Sequence, residues 1–124
     1  MGVRHAPGAL DVAAIDTHAL IRLVTRDDPR QSSKAGVFLR QHRPVLVTHL
    51  SVLELVRVLM SRYGHGKEKV CEVVRTLPGL GELDVQQPAI LEGALRIWEE
   101  SKADFADCFA LESVKAALNG CQRL

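Results

Sequence analysis

Aromatic residues are scarce in this chain: one Trp, one Tyr and three Phe among 124 residues. So few rings leave little to stack on exposed bases, which disfavours a nucleic-acid binder built on an aromatic platform. Cysteine is also sparse. Cys71, Cys108 and Cys121 make an odd count without CxxC spacing, a pattern that fits reduced thiols in a cytoplasmic protein better than a disulfide framework. No His stands at the paired spacing that structural zinc needs, so the three read as small buried hydrophobes. An excess of either charge is missing as well, with 16 Lys and Arg against 15 Asp and Glu. Any affinity for a polyanion must then come from a local patch. Long apolar runs are absent. The first fourteen residues, MGVRHAPGALDVAA, lack the apolar core of a signal peptide, and Val45 to Met60 is interrupted by His49, Glu54 and Arg57. It is too short and too polar to span a bilayer, so a soluble, cytoplasmic protein with no membrane association is expected. There is no GxGxxG, P-loop or GxSxG motif, which removes support for dinucleotide-binding and serine-hydrolase functions.

What the chain does have is an alternation of extended and helical patterns, in a length suited to one domain spanning residues 1–124. Leu10 to Ile15 reads as a strand and Thr17 to Val24 as a short helix. RDDPRQ marks a restart, with Asp28 as N-cap and Pro29 at the first position of a helix to about Gln41. Pro44 to Thr48 is a short β-branched run suited to a buried parallel strand. A helix over Ser51 to Tyr63, ended by Gly64, follows, and then another over Gly66 to Leu77. After a PGLG turn come a strand at Leu83 to Gln86, a helix from Pro88 to about Ser101, and a last helix from Asp104 to about Gly120. Strands alternating with helices predict an α/β fold with a short parallel sheet covered on both faces.

Four carboxylates stand where an extended run gives way to a helix: Asp16 after ALDVAAI, Glu54 shortly after PVLVTH, and Asp104 with Asp107 in ADFADCFAL. In an open α/β sheet these junctions gather along the carboxyl edge, where ligands bind. Acids clustered there need a neutralising cation, which suggests a hard divalent metal site. Each acid also has a purely structural account. Ser51-Val-Leu-Glu54 has the spacing of a capping box, and Asp104-Phe-Ala-Asp107 has a similar one. Asp16 is harder to explain that way, since it ends a strand expected to be central and buried, where an unpaired carboxylate is costly. The helix around Glu54 is apolar nearly all round, and Glu54, Arg57 and Ser61 form its polar stripe. That stripe is either a thin solvent face with a Glu54–Arg57 pair worth about 0.2–0.5 kcal/mol, or the lining of a cleft. Thr17 and His18 flank Asp16, where a hydroxyl can orient a carboxylate or a water. The other histidines, His5, His42, His49 and His65, fall in or near turns and receive no role.

Three segments, AIDTHALIRLVTRDDPRQ, SVLELVRVL and ADFADCFALESVKAA, together resemble the PIN-domain nucleases, in particular the VapC-like ribonuclease toxins of toxin–antitoxin pairs. The resemblance runs from about Val12 to Gly120. It implies a three-layer α/β/α fold and a metal-dependent endoribonuclease. By that resemblance Asp16, Glu54, Asp104 and Asp107 bind magnesium or manganese, with Asp16, Glu54 and Asp107 catalytic. A capping role and a metal role can coexist, because the positive end of a helix and a cation both attract a carboxylate. Magnesium suits a site of few carboxylates that retains waters, and the reaction implied is hydrolysis of an RNA phosphodiester by an activated water. Thr17, Arg22 and Arg57 are the candidates for substrate contact. The partners implied are an RNA substrate, a cognate antitoxin and a second copy of the chain.

One departure from the family pattern has consequences. Such domains usually continue after the last motif into a strand ending in Thr-x-Asp, whereas here NGCQRL stands where that strand would begin. The strand leading to Asp16 is then expected at a sheet edge, with unpaired backbone groups that invite another chain. A catalytically impaired PIN-fold binding module is accordingly the alternative function. The remaining alternative is a small α/β domain whose acids only cap helices.

Overall fold

The computed structural model describes residues 3–5, 13–25, 45–80 and 83–122. In chain order these form β1 (Val3–His5), β2 (Ala13–Ile15), α1 (Thr17–Thr25), β3 (Val45–Val47), α2 (His49–Ser61) and α3 (Lys67–Thr76). A 3-10 turn (Leu77–Gly79), β4 (Leu83–Val85), α4 (Pro88–Glu100) and α5 (Phe105–Gln122) complete the order. The helix expected from Asp28 to Gln41, and Leu10 to Val12 of the first expected strand, lie outside the described residues.

The fold is α/β, as the alternation predicts. β2, β3 and β4 pair in parallel, with Ala13 opposite Val45 and Val45 opposite Leu83. A fourth strand joins them: β1 runs antiparallel to β2, pairing Val3 with Ile15 and His5 with Ala13, so the sheet order is β1-β2-β3-β4. The expectation that the strand leading to Asp16 lies at an edge is therefore corrected. β1 occupies that side and satisfies the ladder groups of β2. The sequence gives no warning of it, because three residues are too few to show a period-2 pattern.

Alternation within β3 and β4 sends Val45, Val47, Leu83 and Val85 inward and leaves Asp84 exposed on the edge strand. A charged side chain there discourages pairing with another sheet. Leu20 of α1, Val52, Leu55 and Leu59 of α2, Val70 and Val74 of α3 and Leu95 of α4 fill the core. Cys71 and Cys108 are buried among them, as their reading as small hydrophobes predicts. Burial pushes the Cys71 thiol up from its ordinary range, and the charge of Glu99 adds to the effect.

α4 and α5 pack closely together. Trp98, Phe105 and Phe109 form a run of tilted and edge-on rings with centroids 5.2 and 5.9 Å apart, so these scarce aromatics serve the core rather than a base-stacking surface. At Gly93 the carboxyl end of Glu112 folds over α4, so that a Cβ there would stand 2.8 Å from it and make that side chain shift. The Lys67 ammonium closes the end of α4 by donating to the carbonyls of Trp98 and Ser101 at 2.8 and 2.7 Å, the first of which also accepts the Ser101 N–H at 3.3 Å. Gly64, at φ 67°, terminates α2 as predicted: His65 N–H donates back to Leu59 O at 3.0 Å, six residues away. No helix among the described residues is long and apolar enough to cross a membrane.

Leu55 is fully buried at the middle of α2. Leu55→Ala is expected to lower unfolding free energy by about 2–5 kcal/mol, read by denaturant titration; a loss near zero would show that this helix is not anchored through Leu55. A variant lacking residues 1–5 exposes β2, and sedimentation should then show association that rises with concentration. Unchanged sedimentation would mean that β1 does not protect that edge.

Candidate functional site

The register of the parallel strands sets the layout. Ala14 is opposite Leu46 and Val47 opposite Val85, so one step further on Asp16, Thr48 and Gln86 come level at the carboxyl edge. Each is the first residue after its strand, and each meets the start of a helix differently.

Asp16 caps α1. Its Oδ1 accepts hydrogen bonds from the backbone N–H groups of His18 and Ala19 at 2.7 and 3.2 Å, and its carbonyl accepts the first helical bond from Leu20 at 3.1 Å. The acid whose structural role looked weakest in the sequence is thus the one that caps a helix.

The other assignments reverse in the same way. α2 begins at His49, with Thr48 as its N-cap accepting from Ser51 N–H at 3.2 Å. The capping box expected from Ser51 and Glu54 is not formed, because the helix starts before Ser51. Thr48 wins as cap since it is the first residue after β3 and carries the needed hydroxyl. Ser51 Oγ instead reaches the hydroxyl of Thr48 at 3.1 Å and donates to Ile15 O of β2 at 3.4 Å, tying helix to strand. Glu54 is left one turn up the helix, where Arg57 Nη2 donates to its Oε2 at 2.7 Å. That hydrogen bond and the carboxylate charge hold the Arg57 proton more tightly than usual. On α5, Asp104 supplies the carbonyl that accepts the first helical bond, from Cys108 N–H at 3.1 Å. Neither the Asp104 nor the Asp107 carboxylate makes a capping bond, so the capping account of this pair is not realised either.

His49, given no role by its position in the sequence, joins three elements. Its N–H donates to Gln86 Oε1 at 3.0 Å, its Nε2 lies 2.9 Å from Gln86 O, and its ring meets Phe109 edge-on at 4.5 Å. It locks the start of α2 to the end of β4 and to α5. A period-based reading had no means of finding it, since its partners lie 37 and 60 residues away.

A cleft of about 730 Å³ opens at this edge between α1 and α2. Asp16 and Glu54 both line it, with Thr17, His18, Thr48, Ser51 and Arg57. Asp104 and Asp107 are not in its lining. α5 buries Phe105, Cys108 and Phe109, and helical spacing turns the intervening Asp107 to solvent. No group of three or more His, Cys, Asp or Glu side chains among the described residues is close enough to share one cation. The structure therefore brings two of the four acids to one cleft and leaves two exposed, Asp104 just before α5 and Asp107 in its first turn. Arg22, on the exposed side of α1, is outside the lining as well.

The span that builds this edge, from β2 into α5, is also the span with a known relative. A family model described as the PIN domain matches residues 13–118. The chain belongs to the PIN-domain family. PIN domains are typically nucleases and generally use divalent metal ions. No match is found among curated proteins. In this PIN domain the cleft offers a cation the carboxylates of Asp16 and Glu54 and the hydroxyls of Thr17, Thr48 and Ser51, with no thiol. Hard oxygen donors of this kind fit magnesium or manganese, and one or two carboxylates are what magnesium uses when waters and a phosphate complete its shell.

The two roles open to Asp16 separate by mutation. Asp16→Ala should cost about 0.5–2 kcal/mol of stability through the lost cap, whereas Asp16→Asn, an equally good cap, should cost little. Thermal unfolding of both variants checks this; equal losses would show that the charge, not the cap, holds α1.

Proposed function

We propose that this PIN domain is a magnesium- or manganese-dependent endoribonuclease of the VapC toxin type, acting in the cytoplasm. The observation that carries the reading is the placement of Asp16 and Glu54 on one cleft at the carboxyl ends of parallel strands, the position where α/β folds bind ligands. Asp16, Glu54 and Asp107, with Asp104, are the residues assigned to hold the ion. Asp107 joins them by its place in the first turn of α5 and by the resemblance of that segment to the family motif. When bound, a divalent ion supplies Lewis acidity toward the phosphodiester and an activated water.

The chain's own groups prepare that chemistry. Two N–H groups of α1 hold Asp16 Oδ1 in one orientation, so that carboxylate is positioned before substrate arrives, while Glu54 is engaged by Arg57 in an exposed pair that can exchange. Thr17 and Ser51 place hydroxyls on the cleft for a water or a phosphate oxygen. Arg57 and Arg22 are assigned to phosphate, for which the forked guanidinium is suited.

A second reading has its own support. Leu111, Val114 and Leu118 of α5 are 47, 55 and 58% exposed and recur at helical spacing, an apolar stripe of the kind that meets another protein. A PIN-fold binding module would use such a surface without cleaving RNA, and an antitoxin or a second copy of the chain would use it beside a working site.

Cleavage of a single-stranded RNA should require magnesium or manganese, stop in EDTA, and fall by orders of magnitude in Asp16→Asn and Asp107→Asn. Cleavage that survives EDTA would end the metal-dependent reading. Full activity in Asp107→Asn alone would remove α5 from the site and leave Asp16 and Glu54 as its acids.

A further inference from the structure

The cleft continues past its acids. Along α2 its lining takes Ser51, Glu54, Arg57, Val58, Ser61 and Arg62, steps of three and four that make one face of the helix. From Glu54 to Arg62 the helix rises about 12 Å. That exceeds one repeat of a nucleic-acid backbone, so groups at the two ends are spaced for different phosphates. The two arginines of this surface, Arg57 and Arg62, also differ from each other, and Arg62 differs from Arg75 and Arg96 elsewhere on the domain. Arg57 is engaged with Glu54, Arg75 with Glu92 and Glu99, and Arg96 with Glu92. No acceptor pairs with the Arg62 side chain among the described residues. It is exposed on the cleft wall, and its backbone is fixed there by a 2.8 Å bond from its N–H to Val58 O and by the turn at Gly64. An uncompensated guanidinium held at the far end of an acid-headed cleft has the chemistry of a phosphate receptor.

We propose that Arg62 binds a phosphate of the substrate strand at least one nucleotide away from the bond that is cut, so that the cleft grips a strand of three nucleotides or more. The inference rests on the nuclease reading of the acidic end and adds to it a length requirement and a residue. A bland role competes with it, since a cation at the C-terminus of α2 complements the helix dipole.

Equilibrium binding of a labelled single-stranded RNA of about eight nucleotides, in EDTA and over about 50–200 mM salt, separates the two. Each phosphate contact on a single strand contributes about −0.7 to the slope of log K against log salt. Arg62→Ala should therefore flatten the slope by about 0.7, Arg62→Lys should restore most of it, and Arg96→Ala should leave it unchanged. A dinucleotide should bind wild type and Arg62→Ala alike. An unchanged slope in Arg62→Ala, an equal loss in Arg96→Ala, or no binding by wild type would each overturn the proposal, and the first would leave the nuclease reading intact. Cleavage of the same RNA by wild type in magnesium tests that reading separately. A flattened slope in Arg62→Ala with no cleavage would keep the track and discard the nuclease.

Discussion

The parallel register of β2, β3 and β4 is the constraint on which the rest depends. Strands of three residues contribute few hydrogen bonds, yet aligning Ala14 with Leu46 and Leu46 with Asp84 determines which residues reach the carboxyl edge together. A slip of one residue in β3 would turn Val45 and Val47, both wholly buried, out of the core and move Thr48 off the level of Asp16. Burial of two valines is thus what places a cap and an acid side by side. The site inherits its geometry from the core.

The three junctions along that edge solve one problem in three ways. Every helix start leaves donors without partners. At α1 a carboxylate satisfies them, at α2 a threonine hydroxyl and the side chain of Gln86 from beside β4 share the task, and at α4 Pro88 in the first turn removes one donor instead. Because Thr48 takes the cap of α2, Glu54 is released from the role its spacing suggests and stands one turn along the cleft wall. Because α5 turns Phe105, Cys108 and Phe109 inward, Asp104 and Asp107 face water instead. Local packing choices thus decide which acids share a cavity.

Much of the fold was legible in the sequence because the signals are local. Pro88 at the start of α4, Gly64 after α2 and the β-branched run at Val45–Val47 each act through backbone sterics or burial within a few residues, and each appears where expected. β1 was not legible, since its pairing with β2 is a property of two segments rather than one. Of the four acids that the motifs single out, the cleft takes Asp16 and Glu54 and not Asp104 or Asp107. Capping boxes judged on spacing alone misassigned the cap of α2, because spacing does not show that the strand ends at Val47 and leaves Thr48, not Ser51, to start the helix. His49 and Gln86 were invisible for the same reason as β1, their contact spanning 37 residues.

One consequence follows for the chemistry at Asp16. With Oδ1 committed to two N–H groups of α1, the carboxylate cannot rotate without breaking the cap, so the direction of Oδ2 is set by the helix. Glu54 lacks such a tether. Its Oε2 is held by an exposed arginine, an interaction worth little in water and open to competition. The two acids of the cleft thus differ in kind, one fixed by the fold and one adjustable. A cation entering between α1 and α2 would find a rigid ligand on one wall and a movable ligand on the other, with Arg57 displaced toward the phosphate that arrives with it. On the proposed reading, that asymmetry would let the pair favour ion and substrate together, since each occupant would relieve a charge that the other leaves exposed.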